Sequence, residues 1–206
     1  MRIAIVAVAG LALGGCAYGS EPGTLAASDM AASYSSKLAG KWLLYIDASA
    51  LKQAVQPSDL ACGAHQYSLD RTTGLAASLR ETLPNVVEQV QSVDAPVPVD
   101  KAASFGARGV ISVRGESVQA DLHVMRGFLS STIATDVDIA ASVTIDGKTG
   151  RLLGETLEGH GHADTAGGFL CSGQAASVNT AADRAQAQLL RQIGEEIANA
   201  DGLHGK

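Results

Sequence analysis

The residues best suited to chemistry lie in the run EGHGHAD at positions 158–164. In a β-strand, His160 and His162 would point to the same face, as two ligands of one metal ion would, and Asp164 could supply a third. The run is also rich in glycine and lies near the end of a predicted strand, where solvated polar residues are common. Since two histidines are few for a metal site, we predict no metal here and keep metal binding through His160 and His162 as an alternative function.

The sequence lacks the common motifs of enzymes. It contains no serine elbow of the form GxSxG, no phosphate-binding P-loop, no dinucleotide fingerprint and no HExxH zinc motif. His123 follows Asp121 by two residues on the polar side of a predicted strand, but no serine is indicated as their partner. We therefore expect a protein that is not an enzyme, with no catalytic residue and no cofactor.

The composition argues against nucleic-acid ligands. The formal net charge is −6 and no cluster of Lys and Arg stands out, whereas the neutralisation of phosphates needs a basic face. Aromatic residues make up 4% of the chain, so surfaces on which bases could stack are scarce. Hydrophobic residues make up 46% of the 206 positions, which is enough for one globular domain with a genuine core.

The amino-terminal residues have the pattern of a cleaved targeting segment. Arg2 precedes an apolar run at positions 3–13, which is too short to span a bilayer comfortably. The sequence LGGC at positions 13–16 then resembles the bacterial lipobox. This resemblance implies cleavage before Cys16 and attachment of lipid, including palmitate, to that cysteine. Because Ala17 rather than Asp follows, the resemblance also implies the outer membrane, with the protein on its periplasmic face.

These features divide the chain into three parts. The stretch after the cysteine is rich in Ser, Ala and Gly, as flexible linkers are. We predict a signal peptide over residues 1–15, a lipidated cysteine with a flexible tether over 16–39, and a single periplasmic α+β domain over 40–206.

Two cysteines remain once Cys16 is assigned to lipid. Cys62 and Cys171 form an even pair in an oxidising compartment, and both have glycines close by. We predict a disulfide between them. The alternatives are two free thiols, or a metal site shared with His65.

Hydrophobic periodicity predicts helices and strands in alternation. Val86, Val87, Val90 and Val93 fit either a helix or a strand, and the break at Pro84 together with the strand preference of Val favours a strand. Apolar residues alternate with Asp136, Asp138, Ala140, Ser142 and Thr144 over 136–145, which indicates a sheet with one buried and one hydrated face. The other predicted strands cover 41–46, 108–125 and 151–159, with a hairpin loop over 146–150, an irregular stretch over 49–66 and a loop at Pro96 and Pro98.

Two helices complete the prediction. The first starts near Thr73, with Asp70 or Thr72 as its cap, and stops before Pro84. The second runs over 178–200 and starts with a capping box from Thr180 to Asp183. The resulting order is β, α, β, β, β, β, α, which predicts an α+β two-layer sandwich with a mostly antiparallel sheet and two helices on one face.

This order of elements behind a lipobox resembles small outer-membrane lipoproteins of the YajG or transport-auxiliary type. The resemblance implies a non-enzymatic accessory role in envelope assembly or transport. The expected partners are the membrane, through the lipid, and another envelope protein. A lipid-binding or small-ligand-binding lipoprotein, with an apolar pocket between sheet and helices, is the alternative alongside metal binding.

Overall fold

The computed structural model describes residues 30–31, 36–58, 66–126, 131–167 and 173–204. The predicted signal peptide and the three cysteines, Cys16, Cys62 and Cys171, lie outside these residues, as does His65. The strands are β1 (Leu38–Asp47), β2 (Lys52–Val55), β3 (Tyr67–Asp70), β4 (Val87–Val93), β5 (Gly109–Arg126), β6 (Ser131–Gly147) and β7 (Gly150–Gly167). The α-helices are α1 (Thr72–Thr82), α2 (Val99–Ala102), α3 (Gln174–Asn199) and α4 (Asp201–His204), and 3-10 turns follow α1 and α2 at Leu83–Asn85 and Ala103–Phe105.

The main sheet has five strands in the order β4-β1-β5-β6-β7. Strands β5, β6 and β7 are long and antiparallel, whereas β1 is parallel to both of its neighbours. Helices α1 and α3 pack on one face of this sheet, so the predicted α+β class is confirmed. The parallel pairing of β1 could not be read from the order of elements, because that order does not say which strands are neighbours.

Most predicted elements have their counterpart. The stretch 86–93 is indeed strand β4, and α1 stops at Thr82, directly before the 3-10 turn that contains Pro84. Asp70 Oδ1 accepts hydrogen bonds from the backbone N and Oγ1 of Thr72 at 3.0 and 2.7 Å. The N-cap of α1 is nevertheless Arg71, which makes no side-chain cap hydrogen bond, so the predicted cap by Asp70 or Thr72 is wrong and Asp70 orders the turn just before the helix. The prediction that residues 49–66 are irregular is wrong in part, since β2 lies within this stretch and pairs with β3 in a small second sheet.

The start of α3 differs from the prediction. The helix begins at Gln174, after Gly173 in the left-handed region (φ 94°), so Thr180 and Asp183 lie inside it and form no capping box. Asp183 instead accepts a hydrogen bond from Arg71 at 2.5 Å. The helix thus begins after a glycine that the capping pattern did not indicate, and the carboxylate of Asp183 is bonded to a residue more than a hundred positions away.

A bulge in β5 determines which side chains are buried. The register with β6 shifts between Gly115 and Ser117, where one extra residue, Glu116, enters β5. Before the bulge odd-numbered residues such as Val113 face the helices, and after it even-numbered residues such as Leu122 do. An added Cβ at Gly115 would lie 2.5 Å from Leu51 Cγ, so glycine is needed where β5 bends past this side chain.

Residues 30 and 31 contact α3. Met30 is buried, with 7% of its surface exposed, and its Sδ occupies the space that a Cβ on Gly194 would need. The backbone N of Ala31 donates to Glu195 at 2.9 Å and its carbonyl accepts from Asn199 at 2.9 Å. These contacts fall within the range predicted as tether, so the part of the chain available to act as a tether ends before Met30. In the part of the chain described, no helix is long and apolar enough to cross a membrane.

Candidate functional site: the open face of the long strands

Apart from the start of β5, where α2 packs against Val110, strands β5 to β7 have a face on which no described helix packs, and we call it the open face. It comprises the side of β5 beyond its bulge and the sides of β6 and β7 that point away from α3. The 17 residues of β6 extend it to about 56 Å at roughly 3.3 Å per residue. Its charged and imidazole side chains include Asp121, His123, Asp136, Asp138, Glu158, His160, His162 and Asp164, and Asp146 and Arg151 lie on it near the hairpin.

Strand β7 places glycine and histidine on opposite faces. His160 and His162 are exposed on the open face, as their spacing predicts, whereas Gly159 and Gly161 are buried against α3. An added Cβ on Gly161 would lie less than 3.0 Å from the carbonyl oxygen of Ala181, and one on Gly159 equally close to that of Ala185. The glycines are therefore needed for the close approach of α3. Because β7 continues to Gly167, the expectation that this run lies at a strand end is wrong.

The register of β6 and β7 sets the partners of the two histidines. The hairpin turns at Lys148 and Thr149, and one extra residue, Leu152, shifts the pairing close to the turn. As a result, Asp136 lies opposite His162 and Asp138 lies opposite His160. Without that extra residue Asp136 would face Gly161, and the aspartates and histidines would lie on different faces.

Five side chains of this face contact one another, and we call them the His–Asp ladder: Asp136, Asp138, His160, His162 and Asp164. His160 Nδ1 is 2.8 Å from Asp138 Oδ1, and His162 Nδ1 is 2.8 Å from Asp136 Oδ1. His162 Nε2 is 3.1 Å from Asp164 Oδ2, and His160 Nε2 is 3.8 Å from Asp136 Oδ1. Both ring nitrogens of His162 therefore face carboxylates, an arrangement that suits the doubly protonated imidazolium.

The hydrogen bond to Asp136, and then that to Asp164, raises the pKa of His162 above its ordinary value of 6.5. A raised pKa means that the folded state binds this proton more tightly than the unfolded state. The stabilisation is complete below pH 6.5 and is lost as the pH rises through the raised pKa. Since the ladder is exposed, we expect the change in stability to be small.

Asp136→Asn is expected to lower the pKa of His162 towards 6.5, because it removes the strongest of the two carboxylate hydrogen bonds. The pKa can be followed by NMR of the imidazole protons during a pH titration. Asp138→Asn is the matched control, since Asp138 bonds to His160 and not to His162. An equal shift of the His162 pKa in both variants would contradict this assignment.

The ladder does not have the geometry of a metal centre. The described residues contain no group of three or more His, Cys, Asp or Glu side chains that could hold a metal ion. Three of the four ring nitrogens are engaged by carboxylates within 3.1 Å, so each would have to give up such a bond to bind a metal. The two histidines share a face, but the arrangement favours ion pairs over coordination.

His123 has a serine neighbour that the sequence did not reveal. Ser58 Oγ lies 3.1 Å from His123 Nδ1, and the same hydroxyl donates to the carbonyl of Leu122 at 3.1 Å. The serine proton is thus directed to the backbone, which leaves the oxygen to accept from histidine, the reverse of a nucleophile and its base. No carboxylate of the described residues lies within ion-pair distance of His123, so Asp121 completes no triad.

The free edge of β7 is occupied beside the ladder by side chains from α3. Gln188 Oε1 accepts a hydrogen bond from the backbone N of His160 at 3.2 Å, and Arg184 donates to the carbonyl of His162. These are the groups that an added strand would use to pair with β7. The edge is therefore protected here, and the open face is the accessible surface of this strand.

The predicted disulfide between Cys62 and Cys171 stays a prediction, because both cysteines lie outside the described residues. The Tyr67 hydroxyl donates a hydrogen bond to Gln174 Oε1. Tyr67 follows the first cysteine by five positions and Gln174 follows the second by three.

No family model matches the sequence, and no curated protein matches it. Among solved structures, protein XCC0632 of the DUF330 family from Xanthomonas campestris aligns at 7% identity and a TM-score of 0.37, over 82% of this chain and 88% of its own. The hypothetical protein CT253 from Chlamydia trachomatis gives 11% and 0.32, over 79% and 98%, and a minor lipoprotein from Acinetobacter baumannii gives 12% and 0.31, over 77% and 87%. Similarities of this size assign no family, and the resemblance to the YajG type stays a prediction.

Proposed function

We propose that this chain is a lipid-anchored envelope protein that acts as a non-enzymatic accessory component and binds a partner protein through its open face. The lipobox-like sequence before Cys16 supports the anchor, and Ala17 supports the periplasmic face of the outer membrane. The observation that carries the binding role is the open face itself, a long hydrated surface on which no described helix packs.

The chemistry of this face favours binding over catalysis. The imidazoles and carboxylates of the His–Asp ladder are engaged with one another on an antiparallel sheet. Among the described residues, the serine that lies beside a histidine, Ser58, directs its proton to the backbone. Paired charges on strands have fixed positions, so they can select a partner of matching charge pattern. The protected edge of β7 makes addition of a partner strand at His160 and His162 unfavourable, which leaves the face as the surface of choice.

Cys16→Ala is expected to abolish lipid attachment and cleavage at the lipobox, so that an unprocessed precursor without lipid accumulates, because the sulfur that carries the lipid is absent. Processing can be followed by the gel mobility of the precursor and mature forms, and attachment by incorporation of labelled palmitate. Cys62→Ala serves as the control and should keep its label. Normal processing and unchanged membrane retention of the Cys16 variant would contradict the anchor.

The open face can be tested by site-specific photocrosslinking in intact cells of the source organism. A photoreactive amino acid at Ala140 or Thr156 on the open face is expected to capture one discrete protein. The same amino acid at Arg191, on the exposed side of α3, is the control. Adducts from Arg191 with none from the two strand positions would show that the partner binds elsewhere.

A further inference from the structure

A cavity of about 360 Å³ opens at the end of the sheet remote from the ladder. It lies where β6 turns into β7, beside the start of β5, and α4 forms one of its walls. This volume is within the range of roughly 300–1,000 Å³ that small-molecule sites occupy. Its lining residues are Trp42, Arg108, Gly147, Lys148, Thr149, Leu152, Gly202 and Leu203.

Two large apolar side chains, Trp42 and Leu152, line the cavity on the side of the sheet, and glycines make room for both, although the indole itself is buried with 2% of its surface exposed. An added Cβ on Gly109 would lie 2.7 Å from Cζ3 of Trp42, so glycine lets the indole lie across β5. In the same way, a Cβ on Gly147 would lie 2.8 Å from Cδ1 of Leu152. The indole Nε1 donates to the carbonyl of Ala39 at 3.2 Å, so the polar edge of the ring is already engaged.

Two cationic side chains, Arg108 and Lys148, line this cavity. Arg108 donates from Nη1 to the carbonyl of Ala39 at 3.1 Å, and Lys148 belongs to the β6–β7 turn. Neither forms an ion pair with a carboxylate of the described residues, whereas Arg151 nearby is paired with Asp146 at 3.0 Å. In a chain with a net charge of −6, two cations without acidic partners at one cavity favour an anion there.

We propose that this cavity binds a small organic anion, with a compact apolar body against Trp42 and Leu152 and one carboxylate, sulfonate or phosphate group between Arg108 and Lys148. The guanidinium and the ammonium would each give the anion a charge-assisted hydrogen bond. The site is independent of the proposed partner surface, because it lies at the opposite end of β6 from the ladder and shares no residue with it.

Trp42 is the only tryptophan of the chain, so its fluorescence reports directly on this cavity. We would titrate the purified full-length protein with 4-nitrobenzoate, an aromatic anion that quenches tryptophan, and in parallel with its neutral analogue 4-nitrobenzamide, correcting both for absorption. The anion is expected to quench in a saturable way with one site per chain. The amide is expected to bind about tenfold more weakly or not at all.

The charge-removing variants are Lys148→Gln and the double variant Arg108→Gln with Lys148→Gln. The double variant is expected to weaken the binding of 4-nitrobenzoate at least about tenfold and to leave the response to the amide unchanged. Lys148→Gln alone changes an exposed turn residue, so it keeps the test valid if the double variant fails to fold. Arg80→Gln, which does not line the cavity, is the matched control.

Three results would overturn the proposal. These are quenching by 4-nitrobenzoate that never saturates, equal affinities of the anion and the amide, and an affinity for the anion that is the same in Lys148→Gln and in the unaltered protein. None of these results bears on partner binding by the open face, so a failure of the anion site is distinguishable from a failure of the proposed function.

Discussion

Gly161→Ala is expected to lower the free energy of unfolding by about 3 kcal/mol or more. The new methyl group would lie less than 3.0 Å from the backbone carbonyl oxygen of Ala181 and close to the backbone N of Ala185. Backbone atoms of a helix cannot turn aside as a side chain can, so α3 must move away from β7. Overpacking of a core costs roughly 1–3 kcal/mol where side chains can adjust, and more where they cannot. Denaturant unfolding followed by circular dichroism measures the loss.

Gly154→Ala is the matched control for this substitution. Gly154 lies in the same strand but on the open face, and an added Cβ there would meet only the flexible side chain of Arg151, at 3.1 Å. Its replacement is expected to change the free energy of unfolding by less than about 1 kcal/mol, since alanine is no worse a strand residue than glycine. Equal losses in the two variants would show that strand preference, not the approach of α3, explains the role of Gly161.

Gly159 and Gly161, which are buried against α3, explain why the predicted strand ended too early in β7. A strand is recognised by apolar side chains at every second position, and that signal indicated residues 151–159. From this point on the buried positions are Gly159, Gly161 and the small Ala163, because the backbone of α3 occupies the space where larger side chains would lie. The alternation is present in the structure, but the residues that carry it have no side chain, so the stretch was interpreted as a strand end.

The sequence predicted which faces carry the residues of the His–Asp ladder, but not that the histidines and aspartates meet. The period of a strand placed His160 and His162 on one face, and the alternation in β6 placed Asp136 and Asp138 on its hydrated face. Bringing the two pairs together needs the register of the hairpin. With a regular two-residue turn, the apolar residues of β6 would pair with residues of β7 that face the other side of the sheet. For Ile145 and Leu153 to face the helices as a pair, one extra residue is needed near the turn.

Other features depend on contacts that no local pattern contains. Strand β2 is only four residues long, and its partner β3 is equally short, so neither shows a reliable period. The spacing of Thr180 and Asp183 satisfies the capping-box pattern, yet α3 starts earlier because Gly173 supplies the left-handed residue before its first turn. Asp183 instead accepts a hydrogen bond from the buried Arg71.

Arg71→Ala is expected to lower the free energy of unfolding by about 3 kcal/mol. Arg71 directly precedes α1 and is 1% exposed, although its charge is among the most costly to bury. Its Nη1 donates to Asp183 at 2.5 Å and its Nη2 to the carbonyl of Asn179 at 3.1 Å, so one guanidinium joins the start of α1 to the first half of α3. The substitution removes these charge-assisted bonds and leaves a void of several methylene groups.

The loss of stability in Arg71→Ala depends on the different burial of Arg71 and Asp183. The side chain of Asp183 is 54% exposed, so it stays hydrated when the arginine is removed and adds no penalty for an unpaired buried charge. Most of the cost therefore comes from lost packing and hydrogen bonds at Arg71. Arg71→Lys is expected to recover only part of it, because an ammonium is a point charge without the planar fork that reaches both acceptors.

Arg80→Ala provides the control, since Arg80 is exposed on α1, and its loss should be below about 0.5 kcal/mol. Unfolding midpoints and slopes in urea would be compared for the four proteins. If Arg71→Lys were as stable as the unaltered protein, the charge alone would explain the contact, and the ability of the guanidinium to reach both Asp183 and Asn179 would be irrelevant. If Arg71→Ala were as stable, the junction between α1 and α3 would be held by the apolar core alone.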